Sequence, residues 1–481
     1  MAFRSSGVRA CGADGPWRPC RGPVRRRSVV TAGVLGLGGL CLGDIRRLQA
    51  AGLPGAKPVA ADTSVIFVWL PGGPPHLDTY DMKPDAASEI RGPFRPIHTN
   101  VAGIDVCELL PRHAACADKY ALIRSISHEF ADHGGGHKRF LTGRDPKEPT
   151  GFVNDTPMAG SFLAWDRETR ASGVPSYTAL VDAGRAHVDT FSFGSAYLGP
   201  SYDPFIVAGD PSEAGFRVRN ISIDAEAARR LGDRATLARS LDHLRRDLDL
   251  AGSLAAKDRF DADALSLLTS REAQHAFDLE QESEGVRDRY GRHRLGQRAL
   301  LARRLIEAGA GFVTVVMEHP GGTQPTNGVY NWDSHAVNCH IFEDANWRFP
   351  YYDQAVTALI EDLYARGLDK KVLLVVTGEF GRTPRIEYQI GTQTKVMQPG
   401  RDHWPGAMSV LVSGGGLRTG QVVGSTDSQG GHPKDRPLTP NDLWATVYHH
   451  LGIDPSQSVL DLSGRPMPIL PFGEPIAELM S

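Results

Sequence analysis

The chain has 481 residues, 41% of them hydrophobic and 23% charged, with a formal net charge of −3. That length suits one large α/β domain or two ordinary ones, and the composition is that of a soluble globular protein with apolar residues enough for a sizeable core. The charge is unevenly placed. Residues 1–60 hold nine Arg and one Lys against two Asp, a local +8, which leaves −11 for the remainder. So acidic a body excludes nucleic acid and an anionic membrane surface as partners.

The basic head has the form of an address tag. Arg25-Arg26-Arg27-Ser28 precedes an apolar, Gly-rich run from Val29 to Leu42 that holds no acidic residue. The run is too short for a membrane span and suits a signal h-region. Paired arginines before it are the twin-arginine export signature. Residues 1–61 are therefore expected to be signal and linker, the mature protein to be periplasmic or extracellular, and the membrane to be met only through the signal. A short membrane anchor or a basic arm is the alternative. Leu40 before Cys41 argues against a lipoprotein anchor. Cleavage removes Cys11, Cys20 and Cys41 and leaves Cys107, Cys116 and Cys339, which is no disulfide framework.

Beyond the linker, strand and helix signals alternate. Ser64–Leu70 (SVIFVWL) is a continuous apolar run ending in Pro-Gly-Gly, a buried strand opening into a loop. Residues 224–308 are rich in Ala, Leu, Arg, Asp and Glu at helical spacing, and a helical insertion is expected over about 222–308, as a cap on the sheet or a coiled-coil arm. Gly311–Met317, Lys371–Thr377 and Met408–Ser413 read as further strands, with a helix at Tyr352–Arg366. Asn441–Leu451, stopped by Gly452, reads as a late helix. The expected fold class is α/β, one domain over 62–481, with a mostly parallel sheet covered by helices on both faces.

In such sheets the functional groups sit beyond the carboxyl ends of the strands, and the polar clusters fall there. His76 and Asp78 follow the first strand. His128, Glu129, Asp132, His133 and His137 lie within ten residues, around three glycines whose amides are placed to cradle an anion. Trp332-Asp333-Ser334-His335 follows the Gly311 strand; Asp and neutral His are ligands for Zn, Mn and similar ions. Glu379 ends the Lys371 strand as a candidate ligand, with Arg382 and Arg385 suited to grip a tetrahedral oxyanion. Arg401, Asp402 and His403 precede the Met408 strand. Each cluster alone also fits an ordinary polar turn. Five of them at strand ends point to one convergent site.

The later motifs resemble a known family. Gly414-Gly415-Gly416, Thr439-Pro440-Asn441-Asp442-Leu443 and Leu451-Gly452-Ile453 resemble the C-terminal half of sulfatases and alkaline phosphatases, and Leu141-Thr142-Gly143-Arg144-Asp145-Pro146 looks like the segment that follows the sulfatase nucleophile. WDSH (332–335), GEFGRTPR (378–385) and GRDHWP (400–405) are similar to the exported bacterial family called domain of unknown function 1501, placed in that superfamily. The resemblance covers nearly everything from Ser64 onward. It implies an alkaline-phosphatase/sulfatase-like fold. It also implies a divalent cofactor, Zn first with Mn, Mg or Ca as alternatives, on Asp333, His335 and His403, joined by Glu379, Asp78 and Asp402.

Departures from the family pattern limit the chemistry. Sulfatases carry paired Asp where this chain has Gly72-Gly73, and the sulfatase nucleophile motif is absent; counting back from Thr142 places His133 at the nucleophile position and His137 at the arginine position. The resemblance therefore implies a hydrolase of phosphate or sulfate esters without a formylglycine. Either metal-activated water attacks, with Asp132 orienting His133 as general base, or His133 attacks directly. Arg382, Arg385 and Arg401 are expected to bind a small-molecule or carbohydrate ester. A non-catalytic exported binding or scaffold relative is the competing expectation, and a phosphomutase or lyase a third. Oligomeric state is left open by the sequence.

Overall fold

All six residues of β1 (Ser64–Trp69) are buried, as a strand covered on both faces must be. The structure, a computed structural model, describes residues 62–168, 173–184, 192–218 and 270–480. The chain divides into two units, Met1–Pro58 and Val59–Ser481; the signal and linker expected over 1–61 lie outside the described residues. In chain order the further strands of the sheet are β2 (Tyr120–Ile126), β3 (Tyr177–Val181), β4 (Phe205–Ala208), β5 (Phe312–Val316), β6 (Val372–Thr377), β7 (Met408–Gly414) and β8 (Gln421–Val423). Their order is β8-β2-β7-β6-β1-β5-β3-β4. Every neighbouring pair is parallel except those of β7, which runs antiparallel to both β2 and β6. The sheet is mostly parallel as expected, with the Met408 strand reversed.

Among the described residues the longer helices that flank it are α1 (His133–Thr142), α2 (Ala159–Asp166), α3 (Arg294–Glu307), α4 (Ile341–Ala365) and α5 (Pro440–Leu451). Alternation along β1 divides the core between the two faces. Ile66 and Val68 pack with Leu295, Leu301, Val356 and Leu359 of α3 and α4. Val65, Phe67 and Trp69 pack with Phe140, Phe162, Leu443 and Trp444 of α1, α2 and α5.

Two expectations change. The helical insertion lies outside the described residues as far as 269, and from 270 the chain is helical at Arg271–Phe277, Glu284–Tyr290 and α3. Yet α3 is no cap: Leu295, Leu300, Leu301 and Leu305 are fully buried against the sheet, so it is a core layer. Helix α4 begins at Ile341, eleven residues before the expected start, and carries Pro350 inside it. That proline is on the exposed side, where a helix tolerates the lost hydrogen bond by bending. Cys107, Cys116 and Cys339 are buried free thiols; burial pushes those of Cys107 and Cys116 up to about 12.

Candidate metal centre

The His128–His137 cluster reads as a loop because three successive glycines each cost a helix about 1 kcal/mol. The structure makes its second half, His133–His137, the first turn of α1. Asp132 is the N-cap, its carboxylate accepting the Gly135 N–H at 2.8 Å, which satisfies one of the otherwise orphaned amides. The glycines are required by close approach. A Cβ at Gly134 would stand 2.6 Å from Gly151 O, and one at Gly136 2.9 Å from the Phe380 ring. Helical spacing then puts His133 and His137 one turn apart on the same face.

Two expectations fail with the loop. Two of the three glycine amides expected to cradle an anion are already engaged, Gly135 N by the Asp132 carboxylate and Gly136 N by the Asp132 carbonyl. Asp132 caps the helix, and the carboxylates facing His133 are Glu379 and Asp333.

Six side chains converge. His133 Nδ1 lies 2.8 Å from Glu379 Oε1 and His137 Nε2 3.3 Å from the same oxygen. Asp333 Oδ1 lies 2.9 Å from His335 Nε2, 3.0 Å from His403 Nε2 and 3.4 Å from His133 Nε2. His335 and His403 face each other, Nε2 to Nε2, at 2.8 Å. Five of the six form two groups that share His133, one with His137 and Glu379, the other with Asp333 and His403, each with its ligand atoms within 4.8 Å of one another. Glu379 and His137 form the buried floor, while the Asp333, His335 and His403 side chains remain 17–19% exposed. The Phe380 ring walls the site at 4.4 Å from His403 and 5.5 Å from His133.

The elements explain the convergence. Strands β1, β2, β5 and β6 deliver Gly72, the α1 histidines, the Asp333 segment and Glu379 from their carboxyl ends. His403 precedes its strand, but β7 is reversed, so its beginning lies at the same edge. Gly72, at φ +114°, has no room for a side chain: a Cβ there would stand 2.4 Å from Asp333 N. Its N–H donates to Glu379 Oε1 at 2.8 Å instead.

The surrounding shell corrects other expectations. Asp402 accepts from His335 Nδ1 at 2.6 Å, so it orients a candidate ligand. His403 Nδ1 donates to Ala131 O at 2.7 Å, and His128 donates to Glu379 O at 2.6 Å. Asp78, expected as a ligand, is 1% exposed and takes two hydrogen bonds from buried Arg401, at 2.8 and 3.1 Å. That pair neutralises itself and leaves Arg401 no hold on substrate. Arg382 is also buried; it donates to the Gly73, Trp332 and Arg401 carbonyls and to Asp333 Oδ1 at 2.8 Å. It clamps the loops rather than a ligand. Arg385 alone of the three is exposed.

Charge is concentrated here. Burial opposes ionisation of Asp333, but hydrogen bonds from His133, His335 and His403 with the Arg382 charge hold it well below the usual carboxylate range. Glu379 is likewise depressed, burial being outweighed by His137 and His133. Burial lowers His133, yet Asp333 and Glu379 outweigh it and raise the imidazole to about 9. His403 is lowered by burial and by Arg382, His133 and His335, against the pull of Asp333.

The sequence family described as Protein of unknown function (DUF1501) matches residues 62–480. The chain belongs to this family, as WDSH, GEFGRTPR and GRDHWP suggested. No curated protein matches the sequence. Among solved structures it is similar to alkaline phosphatase from the Antarctic bacterium TAB5, at 10% identity over 81% of this chain and 98% of that one, with a TM-score of 0.35. It is similar to the lipoteichoic acid synthase LtaP from Listeria monocytogenes at 10% identity over 86% and 76%, TM-score 0.35. The phosphonate monoester hydrolase of Agrobacterium radiobacter matches at 14% identity over 86% and 78%, TM-score 0.33.

Proposed function

We propose that the protein is an exported hydrolase of phosphate or sulfate esters whose six converging side chains hold one or two divalent cations. The contact between His335 and His403 carries the reading. Their Nδ1 atoms face a carboxylate and a carbonyl, groups that only accept, so both Nδ1 carry the hydrogen. In the neutral rings both Nε2 lone pairs then face each other across 2.8 Å, beside Asp333 Oδ1. A shared proton or a bound cation relieves that arrangement, and the three atoms present the donor set a divalent cation takes. Glu379 Oε2 adds a second sign: it is buried without a hydrogen-bond partner among the described residues.

Two histidines with one carboxylate is a donor set of catalytic zinc sites, which puts Zn ahead of Mn, Mg or Ca. Bound there, a divalent ion supplies Lewis-acid polarisation of an ester oxygen and acidification of water. The chain's own residues do the rest. Asp402 and Ala131 fix the orientation of His335 and His403. Gly72 and Arg382 hold the two carboxylates in place. Arg385 is the arginine left to meet an anionic small-molecule or carbohydrate ester. Direct attack by His133 is disfavoured, because both its ring nitrogens are directed at carboxylates.

Metal analysis of purified protein, followed by a screen of phosphate and sulfate esters, tests this reading. Stoichiometric metal with ester turnover supports it, and absence of metal ends it. Metal without turnover on any ester identifies the non-catalytic binding relative instead. Export is tested by replacing Arg25, Arg26 and Arg27 with Lys, which should trap the protein in the cytoplasm.

A further inference from the structure

The segment between Arg382 and His403 carries side chains that the candidate centre does not use. It folds into a hairpin of two short strands, Glu387–Ile390 and Met397–Gly400, outside the eight-stranded sheet. One strand backs onto the chain beside His335. Gln398, buried, donates its amide to Ala336 O at 2.8 Å, and Thr392 in the turn donates its N–H to Val337 O at 3.0 Å. Glu387–Ile390 is therefore the outer strand. The register sets Tyr388 against Pro399 and Ile390 against Met397, so these side chains share one face. Tyr388, Ile390 and Met397 are 64%, 61% and 62% exposed.

The backbone of that outer strand is open too. Gly391 N donates to Val396 O at 2.9 Å, which makes residues 391 and 396 a hydrogen-bonded pair. Hydrogen-bonded pairs alternate along an antiparallel ladder, so 389 and 398 form the next one. Tyr388 and Ile390 then turn their N–H and C=O groups away from the hairpin, and no hydrogen bond reaches those groups among the described residues. The other edge is blunted by Pro399, which has no N–H. An uncovered apolar edge strand is a standing invitation to another strand.

We propose that this hairpin joins two copies of the chain, residues 387–390 pairing antiparallel with the same strand of a second copy about a twofold axis through Gln389. The geometry is self-complementary. That axis places Tyr388 opposite Ile390 of the second copy, so each outward N–H meets an outward C=O in both directions. The two hairpins become one four-stranded sheet, and each Tyr388 gains a β-branched cross-strand neighbour. Charge agrees with the same axis. Glu387 stands exposed at the base and Lys395 exposed at the turn, neither in an ion pair among the described residues. The antiparallel arrangement lays the turn of one copy, with Lys395, beside Glu387 of the other. Such an isologous match is what a second copy supplies without further design.

Light scattering of the full chain over a concentration series should show a dimer. Tyr388→Lys combined with Ile390→Lys should raise the dissociation constant about tenfold or more. Leu462→Lys, which alters an apolar residue 89% exposed elsewhere, should leave the dimer intact. Hydrogen exchange on the unaltered protein reads the pairing itself: the Tyr388 and Ile390 amides should be protected where the dimer forms and exchange on dilution. A monomer at every concentration, a dimer that the double variant leaves intact, or rapid exchange at both amides within the dimer would each overturn the proposal.

Discussion

His335 and His403 meet Nε2 to Nε2 at 2.8 Å across 68 residues of sequence, each with its other ring nitrogen bonded outward. Beside Asp333 Oδ1, these two ring nitrogens are the donor set on which the proposed cation site rests. Asp333→Asn or His403→Ala should abolish metal binding and with it any ester turnover. Asp402→Asn, which disturbs only the orientation of His335, should weaken metal affinity about 10–100-fold with the fold intact by circular dichroism. Unchanged metal content in all three variants would remove the centre from consideration.

Metal binding should release a proton. His133, raised to about 9 by Asp333 and Glu379 against the effect of burial, is protonated in the metal-free protein at neutral pH, and an ion must displace that proton. Affinity should rise about tenfold per pH unit as pH approaches 9. In the metal-free protein the same raised value stabilises the fold fully below the unfolded value of about 6.5, and that contribution is lost as pH rises through 9. Calorimetry at pH 7 in buffers of different ionisation enthalpy measures the released proton; a result independent of buffer contradicts the assignment.

Asp78 and Arg401 make a separate forecast. Removing one partner of a buried pair strands the other charge, at a cost of about 3–5 kcal/mol. Asp78→Ala should therefore lower stability in denaturant by that order while refolded protein keeps its metal. Loss of metal at unchanged stability would return Asp78 to the ligand set.

Acid should weaken the fold before the carboxylates titrate. Burial lowers His293 to about 4, so the unfolded chain takes up a proton at about 6.5 that the folded chain refuses, and stability falls as pH drops from about 6.5 to 4. His293 also caps α3, its Nδ1 accepting the Gly296 N–H at 3.3 Å. His293→Asn keeps a capping side chain and removes the titration. Its stability should depend less steeply on pH over that window, as urea midpoints at several pH values would reveal.

Runs of one character were legible in the sequence. Ser64–Trp69, Phe312–Val316, Val372–Thr377 and Met408–Gly414 appear as strands where nearly continuous apolar stretches placed them, because burial on both faces leaves only a few small Ser and Thr within each run. Helix α5 was equally clear, with Thr439 and Asp442 as its capping box and Gly452 in the left-handed conformation that stops it. Strands β2, β3, β4 and β8 were missed: Arg124 and Ser125 interrupt the apolar run of β2, and β4 and β8 are only four and three residues long. Helix α1 was missed because glycine opposes helix by propensity while here it serves packing against Gly151 and Phe380; the i, i+4 spacing of His133 and His137 was the signal available.

The sequence by itself determined the alternation of strand and helix, the family through WDSH, GEFGRTPR and GRDHWP, and the set of residues from which a site had to be drawn. Only the tertiary structure decided their roles. Arginine and aspartate read alike in a motif whether they face a ligand or each other, and burial separated the paired Asp78 and Arg401 from Arg385, which stays exposed. Strand direction did the rest. With β7 reversed, a histidine before a strand joins carboxylates that follow strands, since direction in a sheet fixes which end of each strand reaches the shared edge.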